Sequence, residues 1–228
     1  TASGTYTITQ PTALANTVVQ TNVLCNGAAT GILDIAVSGG VSPYSYNWSN
    51  GFTTQDVSLL TIGNYSVIIT DANGCTGTTT ITITEPGVLS ASSVITTPIA
   101  CNGGSAVVSV SGSGGTAPYT GTGTFSVVAG SNTYTITDAN LCSTTTTIIV
   151  TEPSLLVAAS VITTPVACFG GTAIVTVSGS GGTAPYTGTG TFSVVAGSYT
   201  YTVTDVNLCS TTTTIIVTEP TALVASSV

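Results

Sequence analysis

A period of 67 residues governs this chain. TDANLCSTTTTIIVTEP occupies 137–153, TDVNLCSTTTTIIVTEP occupies 204–220, and a looser copy, TDANGCTGTTTITITEP, occupies 70–86. Cys75 to Cys142, Cys101 to Cys168 and Cys142 to Cys209 are each 67 residues apart. Residues 101–161 laid on 168–228 differ at ten of 61 positions, so these two copies must share one fold. Self-similarity at such a period marks a tandem array of small units rather than one large core. The boundaries fall at Pro11, Pro86 and Pro153, with Pro220 closing the last full unit. The array reads as repeat 1 over 12–86, repeat 2 over 87–153 and repeat 3 over 154–220. TASGTYTITQP at 1–11 aligns without gaps to TGTTTITITEP at 76–86 and reads as the last strand of a preceding repeat. TALVASSV at 221–228 reads as the first strand of a following one.

Each unit reads as all-β. Thr and Val favour strands, while Gly and Pro favour turns, and no segment carries an apolar 3.6-residue period. In repeat 2 the strand-like runs are 89–95, 106–111, 119–121, 124–128, 133–138 and 144–151, separated by CNGG, SGSGGTAP, VAGSN and DANLC. Six or seven short strands at this spacing predict tandem small Ig-like β-sandwich repeats in a linear array. Val108 and Val110 fall on one face, in register with Ile35 and Val37 before them and Val175 and Val177 after. Repeat 1 is longer between its Pro-Tyr pair and its Asp, which predicts a fuller hairpin with Trp48 over the core. Phe125 and Phe192 take that role in the shorter copies. SGSGGTAPY at 111–119 and 178–186 lacks the GK[ST] of a phosphate loop and reads as a flexible connection between strands.

Charge excludes several functions. The chain has no Lys, Arg or His, and its only formal charges are Asp34, Asp56, Asp71, Glu85, Asp138, Glu152, Asp205 and Glu219. Nucleic acids and anionic membranes both demand cations. No apolar run is long enough to insert into a membrane as a helix. Nucleophilic catalysis lacks a base to take the serine proton, so no enzyme activity is expected. With no cation available, each carboxylate must be hydrated, accept backbone N–H bonds, or hold a metal. Asp71, Asp138 and Asp205 suit Asx turns. No cofactor is required, but calcium is a secondary expectation, with Asp71, Glu85, Asp138, Glu152, Asp205 and Glu219 as oxygen ligands near the junctions.

Cys25, Cys75, Cys101, Cys142, Cys168 and Cys209 form an even set, which points to disulfides and an oxidising compartment. A unit of this size buries only about 60% of its unfolded surface and benefits from a covalent staple. Each unit contains two cysteines, which favours Cys25–Cys75, Cys101–Cys142 and Cys168–Cys209. The alternative is a link between neighbouring repeats. The aromatics Tyr44, Trp48, Tyr119 and Tyr186 are candidate contacts for a sugar or surface, against a core role beside a Pro-Tyr turn.

CNGAATG, VSGGVSPYSYNWSNG, GNYSVIITDANGC and TITITEP, in that order, resemble the SprB-type repeat. CNGG, GGTAPY, TDANLC and TEP match again in repeat 2, and CFGG, GGTAPY, TDVNLC and TEP in repeat 3. That family occurs in very large surface proteins of gliding Bacteroidetes. The resemblance implies export by the type IX route and display on the bacterial cell surface, as a mobile adhesin or filament used in gliding motility. Two roles follow as expectations. One is a structural stalk whose partners are adjacent repeats, with self-association into filaments. The other is direct binding of a glycan or surface ligand. The later repeats lack the W-S-N-G hairpin.

Overall fold

The computed structural model describes residues 3–225, and all regular structure among them is β. Repeat 1 supplies β1 (Ala15–Thr21), β2 (Gly31–Ser38), β3 (Ser45–Trp48), β4 (Val57–Leu60), β5 (Gly63–Thr70) and β6 (Thr76–Ile83). Repeat 2 supplies β7 (Ser90–Thr97), β8 (Ala106–Ser113), β9 (Gly123–Val127), β10 (Gly130–Thr137) and β11 (Ser143–Val150). Repeat 3 supplies β12 (Val157–Thr164), β13 (Ala173–Ser180), β14 (Gly190–Val194), β15 (Gly197–Thr204) and β16 (Ser210–Val217). The chain separates into two compact units, and the division passes through repeat 2. One holds residues up to 92 with 111–122 and 135–145; the other holds 93–110, 123–134 and the chain from 146.

Each repeat is a two-sheet sandwich, as its alternation predicts. In repeat 1 the sheets are β1-β2-β4 and β3-β5-β6. Along β2, Leu33 and Ile35 are fully buried while Ile32, Asp34 and Ala36 face outward. They meet Val67, Ile69, Ile81 and Ile83 of the opposite sheet, and Trp48 and Leu60 close the core. Repeat 3 builds the same core from smaller residues: Ala173 stands where Leu33 does, followed by Val175 and Val177, facing Val203 and Val217.

The repeats differ where the sequence is shorter. Trp48 is buried on β3, opposite Val67 of β5, and its Nε1 donates to Thr54 O at 2.9 Å. In repeats 2 and 3 that strand shrinks to single bridges, Thr120 to Thr137 and Thr187 to Thr204. Phe125 and Phe192 come from the other sheet, on β9 and β14, and rest on Tyr134 and Tyr201 with ring centroids 4.8 and 4.7 Å apart. Tyr134 and Tyr201 stand at the position of Val67, the residue that Trp48 faces in repeat 1.

The glycine-rich connections are not loose. Gly39, Gly114 and Gly181 adopt left-handed φ of 71°, 72° and 70°. A Cβ there would fall on the carbonyl of Ala13, Val88 or Leu155, so only glycine lets the chain segment before β1, β7 or β12 lie against the connection. The following glycine N–H donates to Thr12, Gly87 or Ser154 O at 2.8 Å in each repeat.

Residues 3–14 carry no strand, and Tyr6 and Ile8 are exposed. A strand needs a neighbour for its ladder, and the segment expected over 1–11 finds none among the described residues; residues 1 and 2 lie outside them. Residues 221–225 likewise carry no strand, and 226–228 of the second expected strand lie outside the described residues.

Candidate functional site

The chemistry-bearing residues gather at the two ends of each sandwich. One end is organised by the Asp of TDxxC. Asp138 is buried, and its Oδ1 accepts N–H bonds from Asn140 and Cys142, both at 2.9 Å. Its Oδ2 accepts from Thr116 at 2.9 Å. Leu141 N donates back to Asp138 O at 3.1 Å, and Leu141 takes a left-handed φ of 65°. The result is a tight turn that holds the cysteine at a set position. Asp71 does the same with Val41, Asn73 and Cys75, and Asp205 with Thr183, Asn207 and Cys209. Repeat 1 has Gly74 in the left-handed place.

The N–H bonds hold the Asp71 carboxyl below the ordinary carboxylate range, the one from Cys75 contributing most. For Asp138 burial pushes upward, and the combined bonds from Thr116, Cys142 and Asn140 outweigh it, so the result is again a lowered value.

The opposite end is organised by the Glu of TEP. Glu85 Oε2 accepts Gly27 N at 2.7 Å, and its Oε1 accepts Asn26 Nδ2 at 2.9 Å. Glu152 and Glu219 accept Gly103 N and Gly170 N, each at 2.6 Å. These bonds fix the turn that carries Cys25, Cys101 or Cys168. Of the three fates open to a carboxylate with no cation to pair with, these six side chains take the second and accept backbone N–H bonds. As for calcium, no group of three Cys, Asp or Glu side chains is gathered as a metal site among the described residues.

This arrangement overturns the pairing within repeats. Cys75 precedes β6 and Glu85, which holds the Cys25 turn, follows it. An eight-residue strand therefore separates the two cysteines of repeat 1, roughly 25 Å at ~3.3 Å per residue. A disulfide needs Cα atoms within about 7 Å. Repeat 3 repeats the layout with β16 between Cys209 and Glu219. The bonds that form join successive repeats. Cys25 pairs with Cys142 and Cys101 with Cys209, both with Cα atoms 5.7 Å apart. The Cys25–Cys75, Cys101–Cys142 and Cys168–Cys209 pairs are absent, and Cys75 and Cys168 are exposed free thiols.

Each bond is flanked by a hydrogen-bond clasp that sequence reasoning missed. Asn140 Nδ2 donates to Leu24 O at 2.8 Å, and Asn207 Nδ2 to Ala100 O at 3.0 Å. The same amides brace their own repeat on Thr116 and Thr183 hydroxyls at 3.0 and 3.1 Å. The signal was present: Asn recurs two residues before the cysteine in all three repeats. Beside each bond lies a cleft of about 310 Å³, one lined by Cys25, Asn26, Leu89 and Cys142, the other by Cys101, Asn102, Leu156 and Cys209.

The candidate binding aromatics are occupied elsewhere. Trp48 is in the core. Tyr44, Tyr119 and Tyr186 donate their hydroxyls to Gly39, Gly114 and Gly181 O at 2.6 Å, and Tyr44 and Tyr186 pack on their cores. They pin the glycine connections, and no aromatic cluster of the kind a sugar stacks on is formed by them.

No curated protein matches this chain. Among solved structures, the crystal structure of the N-terminal four Ig domains of Dscam1 isoform 6.44 is similar, with 14% identity over 92% of this chain and 73% of that one, at a TM-score of 0.24. Residues 17–53 match the family model described as the SprB repeat, the family that the ordered motifs of all three repeats resemble.

Proposed function

We propose that this chain is a structural stalk segment of a bacterial cell-surface adhesin, exported by the type IX route and exposed to an oxidising exterior. The observation that carries the reading is the placement of the cystines. They tie each repeat to the next instead of closing each repeat on itself. A staple inside a unit raises that unit's stability; a staple between units limits how far the array can be drawn out. Two near-identical repeats with their aromatics committed to packing favour this mechanical role over direct recognition of a glycan.

Stretching the chain from its two ends by single-molecule force spectroscopy tests the reading. In the oxidised chain the taut covalent path runs from Cys25 to Cys142, back to Cys101, and across to Cys209. Reduction frees the slack segments and should lengthen the extended chain by roughly 480 Å at ~3.4 Å per residue. Equal extension before and after reduction would remove the mechanical argument. Specific binding of the isolated chain to a glycan array would favour the adhesive reading instead.

A further inference from the structure

Repeat 1 builds a surface that the later repeats do not, in the stretch where its sequence is longer. Between β2 and β4 the register jumps, Gly31 pairing with Leu60 and Leu33 with Val57. Ser58 and Leu59 therefore oppose Ile32 alone, a bulge that re-aims Leu59. Leu59 takes a left-handed φ of 60° and is 78% exposed. A bulky residue seldom adopts that φ, and here no burial offsets its cost. Leu59 shares a cleft of about 300 Å³ with Phe52, Asp56 and Val57, and Phe52 and Ile32 are themselves exposed. In repeats 2 and 3 the matching pairs run without a bulge, from Ala106↔Val127 to Val110↔Gly123 and from Ala173↔Val194 to Val177↔Gly190.

The two carboxylates that belong to neither end turn meet at this surface. Asp56 lines the cleft, and the pairing of Leu33 with Val57 sets Asp34 beside it, one step beyond each. Asp56 Oδ1 accepts Ile35 N at 3.0 Å; its Oδ2 and both oxygens of Asp34 accept no hydrogen bond among the described residues. Like charges side by side repel, and the chain holds no cation to relieve them. Val107 and Ile174 stand where Asp34 does in the later repeats, and neither repeat has an acidic residue in place of Asp56.

We propose that this face of repeat 1 docks a segment of a partner protein that presents a Lys or Arg beside an apolar side chain. The cation pairs with Asp34 and Asp56, and the apolar side chain packs on Phe52 and Leu59. A second copy of this chain brings no cation, so the occupant is a different protein. The cleft is at the small end for ligand pockets, which suits one or two side chains of a short segment. Neighbours in the array leave the face free: repeat 2 follows one repeat and precedes another, and Val94 on the matching outer face of β7 is exposed. Such a face is compatible with the stalk reading and does not rest on it.

The test titrates the oxidised 228-residue chain, isotope-labelled for amide NMR, with a blocked pentapeptide holding Lys between two Leu. The expected result is a set of saturable shifts confined to 31–35 and 52–60, weakening as salt rises. The same peptide with Glu in place of Lys should produce none. D34N and D56N should each weaken binding roughly two- to fivefold, the range of an exposed ion pair; D56N keeps the Oδ1 acceptor for Ile35 N. L59G suits the left-handed backbone, so the fold is kept, and loss of the apolar wall should weaken binding about tenfold. No shifts in repeat 1, equal shifts with the Glu peptide or at β9 and β14, undiminished binding by L59G, or self-association through this face without peptide would each overturn the proposal.

Discussion

Asp138 receives three backbone N–H bonds and meets no cation, because the chain has none. Removing it would orphan three donors at the turn that holds Cys142. D138A is therefore expected to lower the thermal midpoint by several degrees, measured by circular dichroism on the oxidised chain. The same bonds make stability depend on pH. Asp71 and Asp138 titrate below their unfolded value of about 3.9. A lowered folded value means the stabilisation is complete above the unfolded one and is lost as pH falls through the folded one. Melting temperatures should hold level from neutral pH to about 4 and decline below it. Tyr119 illustrates a quieter role. Y119F keeps the ring and removes the bond to Gly114 O, a loss of about 1 kcal/mol by urea denaturation.

At the scale of strands, the threonine-rich β11 is less simple than one wet face and one dry one. Thr144 and Thr146 turn inward with Ile148 and Val150, while Thr145 and Thr147 face water. The inward hydroxyls find partners across the sandwich: Thr146 with Ser93 at 3.0 Å, Thr213 with Ser160 at 2.9 Å, and Thr79 with Asn16 at 2.8 Å. One polar rung thus crosses each core at the same level. Repeat 1 offsets it with the bulk of Leu33 and Trp48, where repeats 2 and 3 have alanine and a single bridge. W48A should destabilise by about 3–5 kcal/mol through the cavity it opens, read from the denaturant transition of repeat 1. The strands themselves were legible, because period-two alternation in Val, Ile and Thr places each residue on a face. The Gly-Gly connections were misread as flexible because composition does not disclose that Val88 and Leu155 carbonyls press against them.

For the whole molecule, the cystines close segments of 117 and 108 residues that overlap in repeat 2. In the chain-entropy model a loop of that length restrains the unfolded chain by roughly 4–5 kcal/mol. Cleavage before Asp, followed by mass mapping of the oxidised chain, should join fragment 1–33 to 138–204 and fragment 71–137 to 205–228, as Cys25–Cys142 and Cys101–Cys209 require, with no pair from within one repeat. Trypsin has nothing to cut in a chain without Lys or Arg.

The 67-residue period, the sandwich class, the absence of cationic chemistry and the Asx turns at Asp71, Asp138 and Asp205 follow from the residues alone, since each depends on local spacing or on composition. Which cysteines meet does not. Two cysteines in one repeat are close in number yet stand at opposite ends of a strand, whereas Cys25 and Cys142 are far apart in the chain and adjacent in space. A disulfide is decided by distance between Cα atoms, and that distance exists only once β6, β11 and β16 have extended and carried their end turns apart.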